Sequence, residues 1–482
     1  MNAPKPSVAI LGAGVAGLAA AKTLQQYGFD ITVFEARGEL GGVWANNYKS
    51  LRVLEPNCVY GLPDWPWPEG TSLFPSAAEV RAYLTGYASH FGIDNRIQFN
   101  TRVTRAAPTH DGRWRVDCGS GSTSASTTFD YFVMSPGMFN LPRIPDWPGR
   151  DEFGGEIIHS SQLRDVSQVS QRRVAIIGFS RSAMDIAVDI IDDAESVTLV
   201  HRSVRWPVPE KLLGLVRNHL LLFSRWPTHF APPWIRPTRA GAFLQGMGSP
   251  LVDGFWKFFE LLLSRQFGLK KLGLMPDRAI QLDLFTNLYI TPRQFFDHIR
   301  SGRIESARAE IESLERDAVR LRNGSRVEAD LVICATGWQH DYSFLPKEML
   351  AQIYDEDGMH LYRHMVHPGF PGFAFVGGVQ GINSATCYAV QAVWLANYFS
   401  SRFAPPGEQE QRDQIEAHRA WNRNLVTPRP NRAQILNLHQ LPYLDDLMND
   451  IGLQPRRKWP VLDQLMPYTS TDYREVVAAP SA

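Results

Sequence analysis

One supersecondary unit occurs twice in this chain, and that repetition restricts the fold more than any other feature. Val8-Ala9-Ile10-Leu11 is a short apolar run that opens into Gly12-Ala13-Gly14-Val15-Ala16-Gly17. An Ala-rich helical pattern follows, and Ile31-Thr32-Val33-Phe34 returns as a strand ending on Glu35. In a strand, glycine turn, helix, strand unit the first glycine permits the tight turn. The second lets a pyrophosphate approach the backbone, and the third lets helix and strand pack closely. The unpaired N–H groups that open the helix favour negative charge. An acid at the position of Glu35 accepts hydrogen bonds from a ribose. The second copy starts at Val174-Ala175-Ile176-Ile177-Gly178 and reaches Val197-Thr198-Leu199-Val200 before His201-Arg202. Gly178 follows Gly12, and His201 follows Glu35, by the same 166 residues. A lone glycine fingerprint is weak, but a gapless second unit predicts two nucleotide sites on two Rossmann-like α/β units.

The 482 residues, 44% hydrophobic and 20% charged, suffice for more than one domain with its own core. Lys and Arg number 49 and so do Asp and Glu, with no basic tract, which argues against a nucleic-acid partner and for small molecules. Cys58, Cys118, Cys334 and Cys387 lie far apart without a Cys-x-x-Cys pair, so neither a metal site nor a disulfide framework is expected. They read as reduced packing residues. The first strand begins within ten residues of Met1, leaving no leader pattern, and the cytoplasm is the expected compartment. The uncharged stretch Ser384 to Ser401 is long enough to be weighed as a membrane span. Its Ser, Thr, Gln and Asn content favours a buried helix.

Between the two units, Arg37 to Trp44 is a glycine-rich loop, and the Pro- and aromatic-rich Leu51 to Pro68 reads as an extended, aromatic surface or pocket wall. Ala77 to Phe91 has helical spacing, and Ile97 to Val103 alternates as a strand. Trp114–Cys118 and Phe129–Met134 suggest a small sheet around a loop at Gly119 to Thr128. Residues 141–170 read as a linker into the second unit (171–329), and Asp330 to Trp338 as a return linker. The first domain then comprises 1–140 and 330–482, with the second inserted into it. Arg205 to about Ile290 is dense in Trp and Phe and reads as a helical insertion. An apolar cap over substrate, a membrane-surface patch and a packed helical layer stay open as its role, the layer being favoured because such stripes usually face a core. From Pro405 the chain is first polar and helical, then irregular, without a motif.

Taken in order, these motifs resemble the flavin-containing monooxygenases, single-component enzymes in which an NADPH fold interrupts an FAD fold. Gly12-x-Gly14-x-x-Gly17, Glu35 and Gly41-Gly42-x-Trp44 match that family's FAD signature. Phe153-x-Gly155-x-x-x-His159-Ser160 resembles its identifying linker motif, and Ala335-Thr336-Gly337 its second linker. The resemblance implies FAD contacts at Gly12, Gly14, Ala16, Gly17, Glu35, Arg37, Gly42, Val43, Trp44, Val103, Thr336, Gly337 and Gln391. It implies NADPH contacts at Gly178, Ser180, Arg181, Ser182, Ala183 and Arg202, and no metal.

The implied reaction is NADPH- and O2-dependent. A C4a-hydroperoxyflavin passes oxygen to a nitrogen, a sulfur or an electron-rich carbon of a small lipophilic or aromatic compound, and the cofactor performs the transfer. His159, Glu55 and Asn57 are the candidate catalytic side chains. Three positions depart from the family pattern. Leu163 replaces an aromatic residue at the end of the linker motif, where Baeyer–Villiger enzymes prefer Trp. Ser180 replaces the middle glycine of the second turn, and Leu54 or Glu55 falls near a position where many members place an asparagine beside the flavin. Baeyer–Villiger oxygenation, an NADPH oxidase or reductase without oxygen transfer, and a flavin-binding interaction protein remain as alternatives. Peripheral membrane contact and a homodimer are compatible with the reading.

Overall fold

A computed structural model describes residues 4–120, 123–235, 239–284, 290–425 and 434–478. The two repeated units become two five-stranded sheets, each parallel throughout. In the first sheet, Ser7–Leu11 lies between Asp30–Phe34 and Tyr131–Met134, with Ile97–Gln98 and Phe373–Phe375 at the edges. In the second, Arg173–Ile177 lies between Ser196–His201 and Leu331–Cys334, with Ile304–Arg308 and Glu156–His159 at the edges. Strands buried on both faces must be apolar along their whole length, as these short Val, Ile and Leu runs are.

The repetition extends to register. Ser7 faces Asp30 as Arg173 faces Ser196, and Val8 faces Tyr131 as Val174 faces Leu331. The amide of Gly12 donates to the Phe34 carbonyl at 2.8 Å, and that of Gly178 to the Val200 carbonyl at 2.9 Å. Each unit also carries an antiparallel three-stranded sheet, spanning Arg102–Phe129 in the first and Ile311–Glu328 in the second.

Several local readings change. Thr123–Phe129 is strand where a longer loop was expected, since its alternating small polar residues pair with Trp114–Ser120. The expected strand from Ile97 to Val103 breaks at Asn100, whose φ is +54°, and its two halves join different sheets. Glu156–His159, within the expected linker, is an edge strand of the second sheet, and Leu331–Cys334 sits inside that sheet. The expected irregular tail holds regular elements among its described residues. Gln434–Asn437 pairs in parallel with Val379–Gly381, and the helix Gln440–Asp450 packs on the buried helix Ser384–Phe399. Its order comes from long-range contacts that no local pattern announces, such as Gln440 exchanging hydrogen bonds with the backbone of Asn383.

Ser384–Phe399 is almost wholly buried and packs against the first glycine helix, Val15–Gln26. Lys22, buried on that helix, pairs with Asp64 at 2.5 Å and donates to the Val477 carbonyl at 2.7 Å, so its charge is matched and hydrogen-bonded. Among the described residues no helix is long and apolar enough to cross a membrane.

Parts of the 205–290 insertion, at 236–238 and 285–289, lie outside the described residues. The remainder holds a short hairpin, Lys211–Leu212 with Val216–Arg217, and the long helix Ser249–Phe267. Trp206, Phe223, Trp256 and Phe267 are buried, so its inner side is a packed layer.

Candidate cofactor and active site

The first glycine turn is bare backbone. Gly12 has φ +99°, and a Cβ there would overlap the Ser135 carbonyl. A Cβ on Gly17 would overlap the Gly12 carbonyl, so only glycine lets the helix begin this close to the strand. Gly14 is the N-cap residue and has no side chain to occupy the first-turn amides, which are left for an anion. Gly42 closes over it; a Cβ on Gly42 would lie 3.3 Å from the Gly14 Cα. The Gly41 amide donates to the Ala13 carbonyl at 2.9 Å and the Arg37 guanidinium to the Gly42 carbonyl at 3.1 Å, fixing the loop over the turn. Ala16 is buried against Gly377, and Val43 lies in the short helix Gly42–Trp44.

Glu35 is buried and accepts from the amides of Ala13 at 2.8 Å and Arg37 at 3.0 Å. A carboxylate has about four acceptor positions, so two stay available for vicinal hydroxyls. Val103 is buried in the antiparallel sheet beside this strand end. Gln391 is buried in the helix Ser384–Phe399, where it accepts from the Gly377 amide at 3.1 Å and donates to the Tyr443 hydroxyl at 2.7 Å. The uncharged cradle and the poised carboxylate fit a dinucleotide.

The second turn differs. Gly178 keeps the left-handed conformation, with φ +129°, but Ser180 is the N-cap residue and its hydroxyl accepts from the Ala183 amide. Ala183 occupies the third glycine position and is fully buried. The Arg181 guanidinium pairs with Asp185 at 2.6 Å and also donates to the Ile290 carbonyl; Ser182 beside it is half-buried. Tyr48, from the first unit, donates to Asp185 at 3.2 Å and ties the two units together. His201 is buried and bonded to Ser306 at 2.8 Å. Burial, aided by Arg308, pushes its pKa down to about 4, so it is neutral at physiological pH. Arg202 is exposed beside it and is the cation at this strand end.

His159 joins the two chain crossings between the sheets. Its Nε2 bonds the Gly337 carbonyl at 3.0 Å, its Nδ1 the Ser161 hydroxyl at 2.9 Å, and its ring meets Trp338 edge-on. Burial holds its pKa below the usual histidine range. Leu141–Pro142 pairs with Trp338–Gln339, the Thr336 hydroxyl donates to the Arg143 carbonyl, and His340 bonds the Met138 carbonyl at 3.1 Å. Thr336 and Gly337 therefore belong to this seam.

Glu55 keeps some accessible surface, but it lies in a protein-walled recess where burial pushes its pKa up to about 8. Arg181, Tyr60 and Tyr388 are close enough to interact with it electrostatically. Trp44 donates to the Tyr60 hydroxyl at 3.0 Å, which connects the glycine loop to this recess. Asn57 points elsewhere: its amide donates to the carbonyls of Thr71 and Ser72 at 3.4 and 3.2 Å. Tyr48, Tyr60 and Tyr388 were not singled out from sequence as site residues. Tyr60 stands in the aromatic-rich stretch, whereas the contact of Tyr48 with Asp185 spans 137 residues and has no local signal.

Comparison with known proteins identifies the family. The chain is 28% identical to "Probable flavin-containing monooxygenase 1" of Arabidopsis thaliana, with 97% of this chain and 96% of that protein covered. It shares its fold with the structure of S-allyl-L-cysteine S-oxygenase from Allium sativum (TM-score 0.64, 23% identity, 94% and 89% covered). The same holds for OTEMO in complex with FAD and NADP (TM-score 0.69, 18% identity, 93% and 99% covered). The family model described as flavin-binding monooxygenase-like matches residues 5–466, and the chain belongs to that family of FAD- and NADPH-dependent monooxygenases that consume O2.

Proposed function

We propose that the first turn, closed by Gly41 and Gly42, holds FAD, that the second holds NADPH, and that the enzyme oxygenates a nitrogen or sulfur of a small lipophilic compound. The observation that carries the assignment of the turns is their asymmetry. The bare helix start of Gly14 faces an acid, Glu35, suited to an unphosphorylated ribose, while the hydroxyl-capped turn of Ser180 ends beside an exposed Arg202, suited to a 2′-phosphate. Bound FAD, reduced by NADPH, supplies the oxygen chemistry.

The chain's own residues hold, shield and tune. Trp44 and Tyr60 wall the recess, and Glu55 keeps a proton on its carboxyl at neutral pH, so it adds no negative charge there. His159 is a positioning residue, through its bonds to Gly337 and Ser161. A heteroatom is favoured over a ketone by Leu163, which stands where Baeyer–Villiger enzymes prefer Trp, and by the names of several relatives. The Arabidopsis relative and the rat "Flavin-containing monooxygenase 3", 25% identical, carry that family's name, and the garlic enzyme is an S-oxygenase. The four free thiols support a reducing compartment such as the cytoplasm.

The test is NADPH consumption together with product mass over amines, thioethers, indoles and ketones. An oxygenated amine or thioether formed in step with NADPH consumption is expected. Oxygen inserted only into ketones, or peroxide alone with every substrate, overturns the reading.

A further inference from the structure

The stretch from Tyr48 to Leu62 passes from one core to the other. Tyr48 is buried among the core residues of the second unit, and Leu51 and Leu54 pack against the same set. Val53, Tyr60 and Leu62 belong to the core of the first unit. Glu55 falls at the crossing, so its carboxyl has a nucleotide unit on either side. From the first unit it is faced by Tyr60 and by Tyr388 of the helix Ser384–Phe399, and from the second by Arg181. Arg52, three residues earlier, acts on Asp185 and Asp189 instead. Burial raises the pKa of both tyrosines, so their hydroxyls stay uncharged. Among the described residues, the charge that acts on Glu55 is that of Arg181.

Arg181 also belongs to the second glycine turn. It is the first residue of the helix Arg181–Asp189, directly after the cap Ser180. Its side chain is largely buried and is held by Asp185 at 2.6 Å and by the Ile290 carbonyl. A guanidinium has five N–H donors, and these two bonds leave others for an anion at the helix start. One cation therefore stands between the amides that receive a phosphate and the carboxyl in the recess.

Neighbouring charges do not titrate independently. The field of Arg181 favours the ionised form of Glu55 and partly offsets the burial that raises its pKa to about 8. A pyrophosphate at the turn adds negative charge beside Arg181 and cancels part of that field, and the carboxyl then holds its proton more tightly. Linkage is reciprocal, so a protonated Glu55 also favours the bound nucleotide.

We propose that binding of NADP(H) at the second turn is coupled, through Arg181, to uptake of a proton by Glu55. The inference rests on the assignment of NADPH to that turn. Arrival of the reductant then keeps the recess uncharged just above neutral pH, where Glu55 alone would begin to ionise, and the coupling needs no movement of either unit.

The test is calorimetric titration of the FAD-loaded protein with 2′-phospho-ADP-ribose, which carries the pyrophosphate and the 2′-phosphate but neither reduces a flavin nor brings a nicotinamide charge. Titrations in HEPES and in Tris, whose ionisation enthalpies differ, give the protons exchanged per ligand bound. A rise of the Glu55 pKa by about one unit on binding means uptake of about half a proton at about pH 8.5 and a Kd that weakens about fivefold between about pH 7 and 9. Glu55→Gln should abolish both effects, and Arg181→Lys should keep them. Arg181→Met should bind more weakly and lose the uptake, whereas Arg202→Ala should bind more weakly with the proton count unchanged. Binding without proton uptake, or uptake that survives Glu55→Gln, overturns the coupling and leaves the nucleotide assignment standing. No binding of the probe by the wild-type protein overturns the assignment of the second turn, and the coupling with it.

Discussion

The two glycine turns share strand register and the hydrogen bond that closes the turn, yet solve helix packing differently. In the first, the helix starts so near the strand that Gly17 admits no side chain. In the second, Ala183 places a buried methyl at that position and Ser180 caps the helix itself. On the proposed assignment, one backbone frame supports two binding modes: the first leaves its amides for FAD, and the second spends one of them on its own hydroxyl and has Arg202 at the strand end for NADPH.

The comparison is broken most directly at its tightest point. Gly17→Ala puts a methyl into the Gly12 carbonyl, and since backbone cannot move aside cheaply, the variant should lose FAD and destabilise by about 3 kcal/mol or more. The reciprocal Ala183→Gly should keep its fold, at a cost of about 1 kcal/mol. Flavin absorbance and thermal melts check both, and retention of full FAD by Gly17→Ala would remove the distinction between the turns.

Next in size, Arg202→Ala should weaken NADPH by about tenfold with little change for NADH, because a charge-assisted bond to the 2′-phosphate is worth about 1.5–3 kcal/mol. Equal losses for both nucleotides in binding titrations would show that Arg202 does not read the phosphate.

A pH experiment sharpens what lies between the turns. Glu55 rises from its ordinary 4.5 to about 8 in the folded protein, so between those values the native state holds a proton that the unfolded chain has released. Stability contributed by this carboxyl is present below 4.5 and lost as pH rises through 8. Glu55→Gln should therefore gain melting temperature relative to wild type by a few degrees as pH rises from about 5 to 9. Parallel curves across that range would place the Glu55 carboxyl in water.

The smallest effect is expected for Ser180→Gly, which gives the second turn the residue of the first. Replacing a serine cap with glycine costs only a few tenths of a kcal/mol, and NADPH affinity should change less than about threefold. A tenfold loss in a binding titration would mean that the hydroxyl itself holds the cofactor.

Both units, their order and the glycine cradle were legible because strand runs, turn glycines and strand-end acids are local patterns. So was the burial of Ser384–Phe399, since its polar residues spoke against lipid. The tail from Pro405 was not, because its order depends on partners such as Asn383 and Cys58, far away in sequence. The same reason hid Tyr48. Asn57 differs from Glu55 for a reason no local pattern announces: the chain bends at Leu54 and Glu55 and turns at Asn57, and the Asn57 amide holds the 71–72 backbone.

The seam made by His159, Gly337, Thr336 and Arg143 has a mechanical consequence. The polypeptide passes between the two sheets twice, and both passages are laced side by side, one strand against the other, at Leu141–Pro142 and Trp338–Gln339. Two separate tethers would let one lobe swing in any direction; a single laced strap resists splaying and shear and stays compliant mainly to torsion along its own length. The hydrogen bond of Tyr48 to Asp185 and the pair of Arg225 with Asp445 brace the two units away from that strap, so torsion along it is opposed as well.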